Sequence, residues 1–132
     1  MDKKFLKKII AQSLEDLQII SACCSEATVK ISEIKYLSSN KIFLISLLRQ
    51  DKENENNKNS INSVIKFEFI ESSKSKNINQ NNPDLLLELL AIDVFKRDQN
   101  FEITLLFSEN RFITLTTEVI EATLEDQKFE ND

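Results

Sequence analysis

The chain has no histidine, no glycine and no tryptophan, and only one proline, one methionine and one tyrosine. Without histidine it lacks the side chain most often used for acid–base chemistry near neutral pH, and the commonest zinc ligand. A serine nucleophile of the usual kind loses its base for the same reason. Without glycine there is no glycine-rich phosphate loop, no dinucleotide fingerprint and no nucleophile elbow. Turns have to be made by Asn, Asp and Ser instead. The surplus of Asn, Lys, Ile and Phe over Gly, Ala, Pro and Arg is also the bias of AT-rich coding, so the missing glycine is partly a codon effect. Lysine or carboxylate chemistry stays open, but the familiar catalytic designs do not.

The two cysteines, Cys23 and Cys24, are adjacent. Neighbours on a helix point in different directions and a disulfide between them is strained, so no secreted disulfide framework can be built. With no histidine and no CxxC spacing they make neither a zinc site nor a resolving redox pair. Cys24 is expected in a helix core and Cys23 at its edge. No segment approaches the roughly 20 apolar residues of a membrane helix. Near the N-terminus the longest apolar stretch is Ile9–Ala11, too short for the core of a signal peptide. A cytoplasmic location is expected.

Hydrophobic residues make up 41% of the 132 positions and charged residues 30%, with a formal net charge of −5. This is a globular balance, and the length suits one domain, 1–132. An acidic surface repels phosphate backbones, so nucleic acid is not an expected partner.

Residues 5–11 read as a first strand, with Ile9 and Ile10 entering the core. Ser13 has the character of a helix N-cap, followed by Glu15 and Asp16 where the helix dipole favours acids. Leu14, Leu17, Ile20 and Cys24 recur at helical spacing, which predicts a helix over 13–26. Alternation at Val29, Ile31, Ile34 and Tyr36 predicts a strand with an irregularity at Ser32–Glu33. Residues 42–48 are nearly all apolar and read as a central strand buried on both faces. Residues 51–62 and 72–83 are polar and are expected to be flexible loops, separated by a strand over 64–70. In that strand Val64 and Lys66 face one way, and Ile65, Phe67 and Phe69 the other. Residues 85–90 fit a short helical turn or a strand, and 92–95 a strand. Residues 103–107 and 112–117 form a hairpin across Glu109–Asn110. Residues 119–124 favour a strand past a bulge over a closing helix, and 126–132 read as a frayed acidic tail.

The expected fold is therefore α+β: a mostly antiparallel, curved sheet of six or seven strands with one covering helix near the N-terminus. A half-open barrel resembling a pleckstrin-homology-like module is one shape that would satisfy it.

Several segments together carry a resemblance. They are Ser13-Leu14-Glu15-Asp16-Leu17 with Ile20-Ser21-Ala22, Val29-Lys30 leading to Tyr36-Leu37, Leu89-Leu90-Ala91, Ile113-Thr114-Leu115, and Ile120 to Asp126. In order and spacing the chain resembles an uncharacterised alphaproteobacterial family, domain of unknown function 2948. Two positions depart from the pattern: Glu109–Asn110 stands where that family tends to have a glycine pair, and Gln50 where an aromatic follows Arg49. The resemblance implies a lineage and a fold, but no mechanism.

Arg49, at the end of an apolar strand, is a candidate contact for an anionic ligand or partner, against the commoner reading of an ion pair. Tyr36 is a candidate partner contact, against that of a half-buried strand aromatic. Glu121, Glu125 and Asp126 read as a solvated acidic end rather than a cation site. Asp93 has no identifiable catalytic partner. No catalytic residue, metal ligand or cofactor is expected. The leading functional expectation is a non-catalytic module that binds another protein. A binder of a small anionic ligand or headgroup near the sheet mouth comes next, and an enzyme with non-histidine chemistry last.

Overall fold

A computed structural model describes residues 6–51 and 59–129. After β1 (Lys8–Ala11) comes the helix α1 (Leu14–Cys24), then β2 (Ala27–Lys30), a 3-10 turn (Ile31–Glu33) and β3 (Ile34–Leu37). The long strands β4 (Ile42–Gln50) and β5 (Ser60–Phe67) follow, then β6 (Ile70–Lys76), β7 (Leu86–Arg97), β8 (Asn100–Phe107), β9 (Arg111–Thr117) and β10 (Ala122–Phe129).

Ser13 caps α1 as its sequence suggests: its Oγ accepts from the Asp16 N–H at 3.1 Å. Leu17, Ile20 and Cys24 are the buried face of the helix. They lie in one core with Val29, Phe43, Ile45, Phe67, Leu89 and Leu105. The helix packs against β1, β4 and β7.

All strand pairs are antiparallel, in the order β1-β10-β5-β4-β2-β7-β8-β9-β6, with β3 on β4 beside that path. One side of β4 is shared by two strands. Its first half pairs with β3, from Ile34↔Ile45 to Leu37↔Ile42, and its second half meets β2 at Thr28↔Leu48. The 3-10 turn between β2 and β3 lets the chain leave β7 and continue along β4. The sheet then bends back until the Ile70 N–H donates to the Lys41 carbonyl at 2.8 Å, in the β3–β4 turn. The path approaches closure there but stays open.

The α+β class, the single helix and the antiparallel sheet match expectation, while the strand count is ten among the described residues, not six or seven. The extra strands come from segments whose pattern is polar or interrupted. Residues 72–76, expected in a loop, belong to β6. Residues 86–90 are the start of β7, whose ladder to β8 shifts register between Leu89 and Ala91. Residues 126–129, expected in a frayed tail, end β10. The break between β2 and β3 adds one more strand.

Three finer expectations also shift. Ile10 is exposed and Ile9 only half-buried. β4 buries Phe43, Ile45, Leu47 and Arg49 but leaves Ile42, Leu44, Ser46 and Leu48 half-exposed, because one face meets the core and the other the outside. Phe69 sits in the β5–β6 turn with φ 62° and is exposed. Of the loop expected at 51–62, residues 60–62 instead begin β5, with Ile61 buried, and residues 52–58 lie outside the described residues, as do 130–132 of the tail.

Candidate functional site

Where β6 fails to meet β3, a pocket of about 460 Å3 opens through the wall of the sheet. β3 is paired by β4 and β6 by β9. Among the described residues neither has a strand on its other side. At one end the gap is closed by the Ile70–Lys41 backbone bond and by the Tyr36 hydroxyl, which donates to the Ile70 carbonyl at 2.9 Å. At the other end the Ser32 N–H donates to the Pro83 carbonyl and the Ile31 N–H to the Leu85 carbonyl, at 2.9 and 3.0 Å. These bonds tie the 3-10 turn to the β6–β7 connection.

The chemistry of the lining follows from strand alternation. Ile34 and Tyr36 on β3, and Ser73 and Ser75 on β6, point inward, while Lys35, Lys74 and Lys76 are exposed on the outer side. The floor is Phe43 and Ile113, and Ile78, Gln80 and Pro83 complete the rim. The Tyr36 ring lies 6.5 Å from that of Phe43, which meets Phe67 edge-on at 6.2 Å. Among the described residues no Asp, Glu, Lys or Arg lines the pocket. It can hold an apolar group and offer it hydroxyl and amide hydrogen bonds. It has neither a charge to pair with an ion nor a base to activate a nucleophile. The volume falls in the usual range of small-ligand sites, roughly 300–1,000 Å3.

Tyr36 is therefore a pocket residue, with its hydroxyl already bonded to backbone. Arg49 stands elsewhere, on the core side of β4 and 2% exposed. Its Nε and Nη2 donate to the two carboxylate oxygens of Asp126 at 3.0 and 2.8 Å. Asp126 also accepts from Ser63 Oγ at 2.6 Å and from the Lys7 backbone N–H at 2.9 Å, and returns its own N–H to the Lys7 carbonyl. Burial alone would push the Asp126 carboxyl up. The bonds from Arg49, Ser63 and Lys7, with the Arg49 charge, outweigh it and hold the carboxyl below its ordinary value. Burial likewise opposes the Arg49 charge, but the Asp126 bond and charge outweigh it and leave the guanidinium pKa raised. The pair fastens β4, β5, β10 and the start of β1 together.

Ser73, Ser75, Ile78 and Gln80 escape a reading of the sequence because all lie in the stretch that looks like a polar loop. One signal was there: Ser73 to Lys76 alternates serine with lysine, a period of two with small polar residues on the inner face. Asp126 escapes because it looks like part of an acidic tail. Yet Ala122, Leu124 and Asp126 share one strand face, and all are buried. The three carboxylates of this region separate: Glu125 is exposed, and Glu121 accepts from the Gln12 side chain at 3.0 Å. Among the described residues no group of three or more Cys, Asp or Glu is placed to hold a metal ion. Cys24 is buried in the core and Cys23 packs at its edge. Asp93 is exposed and faces Thr104 across the β7–β8 ladder.

A family model described as "Protein of unknown function (DUF2948)" matches residues 7–131. No curated protein and no solved structure matches the chain, so the pleckstrin-homology-like shape gains no support.

Proposed function

Because the chain belongs to the DUF2948 family, which carries no activity to borrow, we propose from its own geometry that it is a non-catalytic binding module. Its recognition site is the pocket between β3 and β6, and the group it takes is uncharged and mainly apolar. The observation that carries this reading is the lining itself: apolar and hydroxyl side chains without a charge, set between two unpaired strand edges.

A small anionic ligand is less well supported. The pocket offers it no cation, and Arg49 already serves Asp126. Catalysis is supported least, because the serines and Tyr36 of the pocket have no Lys or carboxylate beside them to act as base. Another protein is the natural carrier of an apolar group for such a site. A cytoplasmic setting is part of this reading, because the adjacent Cys23 and Cys24 build no disulfide framework. Among the described residues no helix is long and apolar enough to cross a membrane.

The test is a panel of aromatic fragments, neutral, anionic and cationic, mapped by NMR amide shifts. Neutral fragments are expected to perturb Ile34, Tyr36, Ser73, Ser75 and Ile113. Anionic fragments that perturb Arg49 and leave the pocket untouched would replace this reading with the anion binder.

A further inference from the structure

Resting on that reading, we infer that the natural occupant is an extended segment of another protein that adds itself to β6, with apolar side chains facing inward and acidic ones outward. Alternate backbone N–H and C=O groups of an edge strand point away from its one partner, and an added strand satisfies them. β6 offers that edge over Ser72–Ser75, between the bond that closes the gap at Ile70 and the connection at Ile78. On the opposite side β3 offers a second edge of four residues. A strand lying between two others needs a gap of roughly 10 Å, twice the usual spacing. A whole tyrosine side chain spans that gap where Tyr36 reaches the Ile70 carbonyl.

The added strand obeys the same alternation as its neighbours. Its inward side chains enter the pocket above Phe43 and Ile113, where no charge would meet them. Its outward side chains lie between Lys35 of β3 and Lys74 and Lys76 of β6, all exposed. Lys76 also sits 5.6 Å over the Phe112 ring, which holds its charge on this face. The nearest acid on β6, Glu71, is already 3.7 Å from Lys41. On a chain of net charge −5 this is a locally basic strip, and glutamate or aspartate outward on the incoming strand complements it. Lysines on an edge strand also guard it against indiscriminate pairing, so the same residues that select an acidic segment reject others.

The probe is a synthetic hexapeptide alternating leucine and glutamate, titrated into the intact chain. Two comparison peptides alternate leucine with lysine, or carry N-methyl groups on alternate backbone nitrogens. The acidic peptide is expected to bind and to slow amide exchange along β6. The lysine and N-methylated peptides are expected to bind at least tenfold more weakly, a difference of about 1.4 kcal/mol. The double variant Lys74→Glu/Lys76→Glu, whose changes are on exposed side chains, should stay folded, losing at most the exposed Lys76–Phe112 contact, and invert the preference between acidic and basic peptides. No saturable binding up to about 1 mM, or equal binding of the N-methylated peptide, would overturn the inference. If neutral fragments still enter the pocket in that case, the pocket reading survives and strand addition alone falls.

Discussion

Asp126 and Arg49 show what a single pair of side chains can be asked to do in this fold. Each is buried and answered by the other through two bonds. Removing one partner leaves an unpaired charge in the interior, so Asp126→Asn is expected to cost about 3–5 kcal/mol. The double change Arg49→Leu/Asp126→Leu should cost less than Asp126→Asn or Arg49→Leu alone, and urea unfolding of the three variants measures the difference. The pH dependence has a definite sign. The folded Asp126 pKa lies below the unfolded one, so its contribution is complete above the unfolded carboxylate range. It is lost as pH falls through the folded value. Wild type should lose stability on acidification below about pH 4, and the double variant should show a shallower loss there. Phe69 poses the opposite case, a bulky residue at φ 62° with its side chain exposed. The left-handed region costs an L-residue about 1–2 kcal/mol, and glycine would be free of most of that. Phe69→Gly should therefore raise the melting temperature by a few degrees in a thermal scan.

At the level of elements, legibility followed hydrophobic contrast. The helix was readable because Ser13, the two acids after it and the Leu17–Ile20–Cys24 stripe all say the same thing. The β8–β9 hairpin was readable from Ile103, Leu105 and Phe107 on one strand and Ile113 and Leu115 on the other. Its turn residues Glu109 and Asn110 both take φ 61° in place of glycine. β6 was not readable, for a reason tied to the site. A strand that lines a pocket rather than a packed core does not need apolar inner residues, so Ser73 and Ser75 erase the signal that periodicity relies on. β7 was obscured by its register shift, and β10 because Asp126 occupies a core-facing position. Of the two sites anticipated, Tyr36 lines the pocket, whereas Arg49 is bound up in the ion pair across the sheet from it. The Tyr36 hydroxyl should fasten β3 to β6. Tyr36→Phe is expected to destabilise by about 1 kcal/mol and to speed amide exchange around Ile70 more than elsewhere. Uniform exchange changes would mean that the bond is not a local clasp.

On the scale of the molecule, the sheet bends back on itself but stays open, and the opening is the pocket between β3 and β6. α1 packs beside β7, Arg49–Asp126 fastens the β1–β10–β5–β4 side, and β3 and β6 stand apart, neither with a second strand neighbour among the described residues. On the proposed reading this gap is an open pocket for an uncharged, mainly apolar group. Crystals of the chain soaked with a neutral aromatic fragment test it most directly. The account predicts the fragment between β3 and β6, on Phe43 and Ile113 and beside Ser73 and Ser75. Density for the fragment only elsewhere, or β3 and β6 hydrogen-bonded directly so that the pocket is gone, would contradict it.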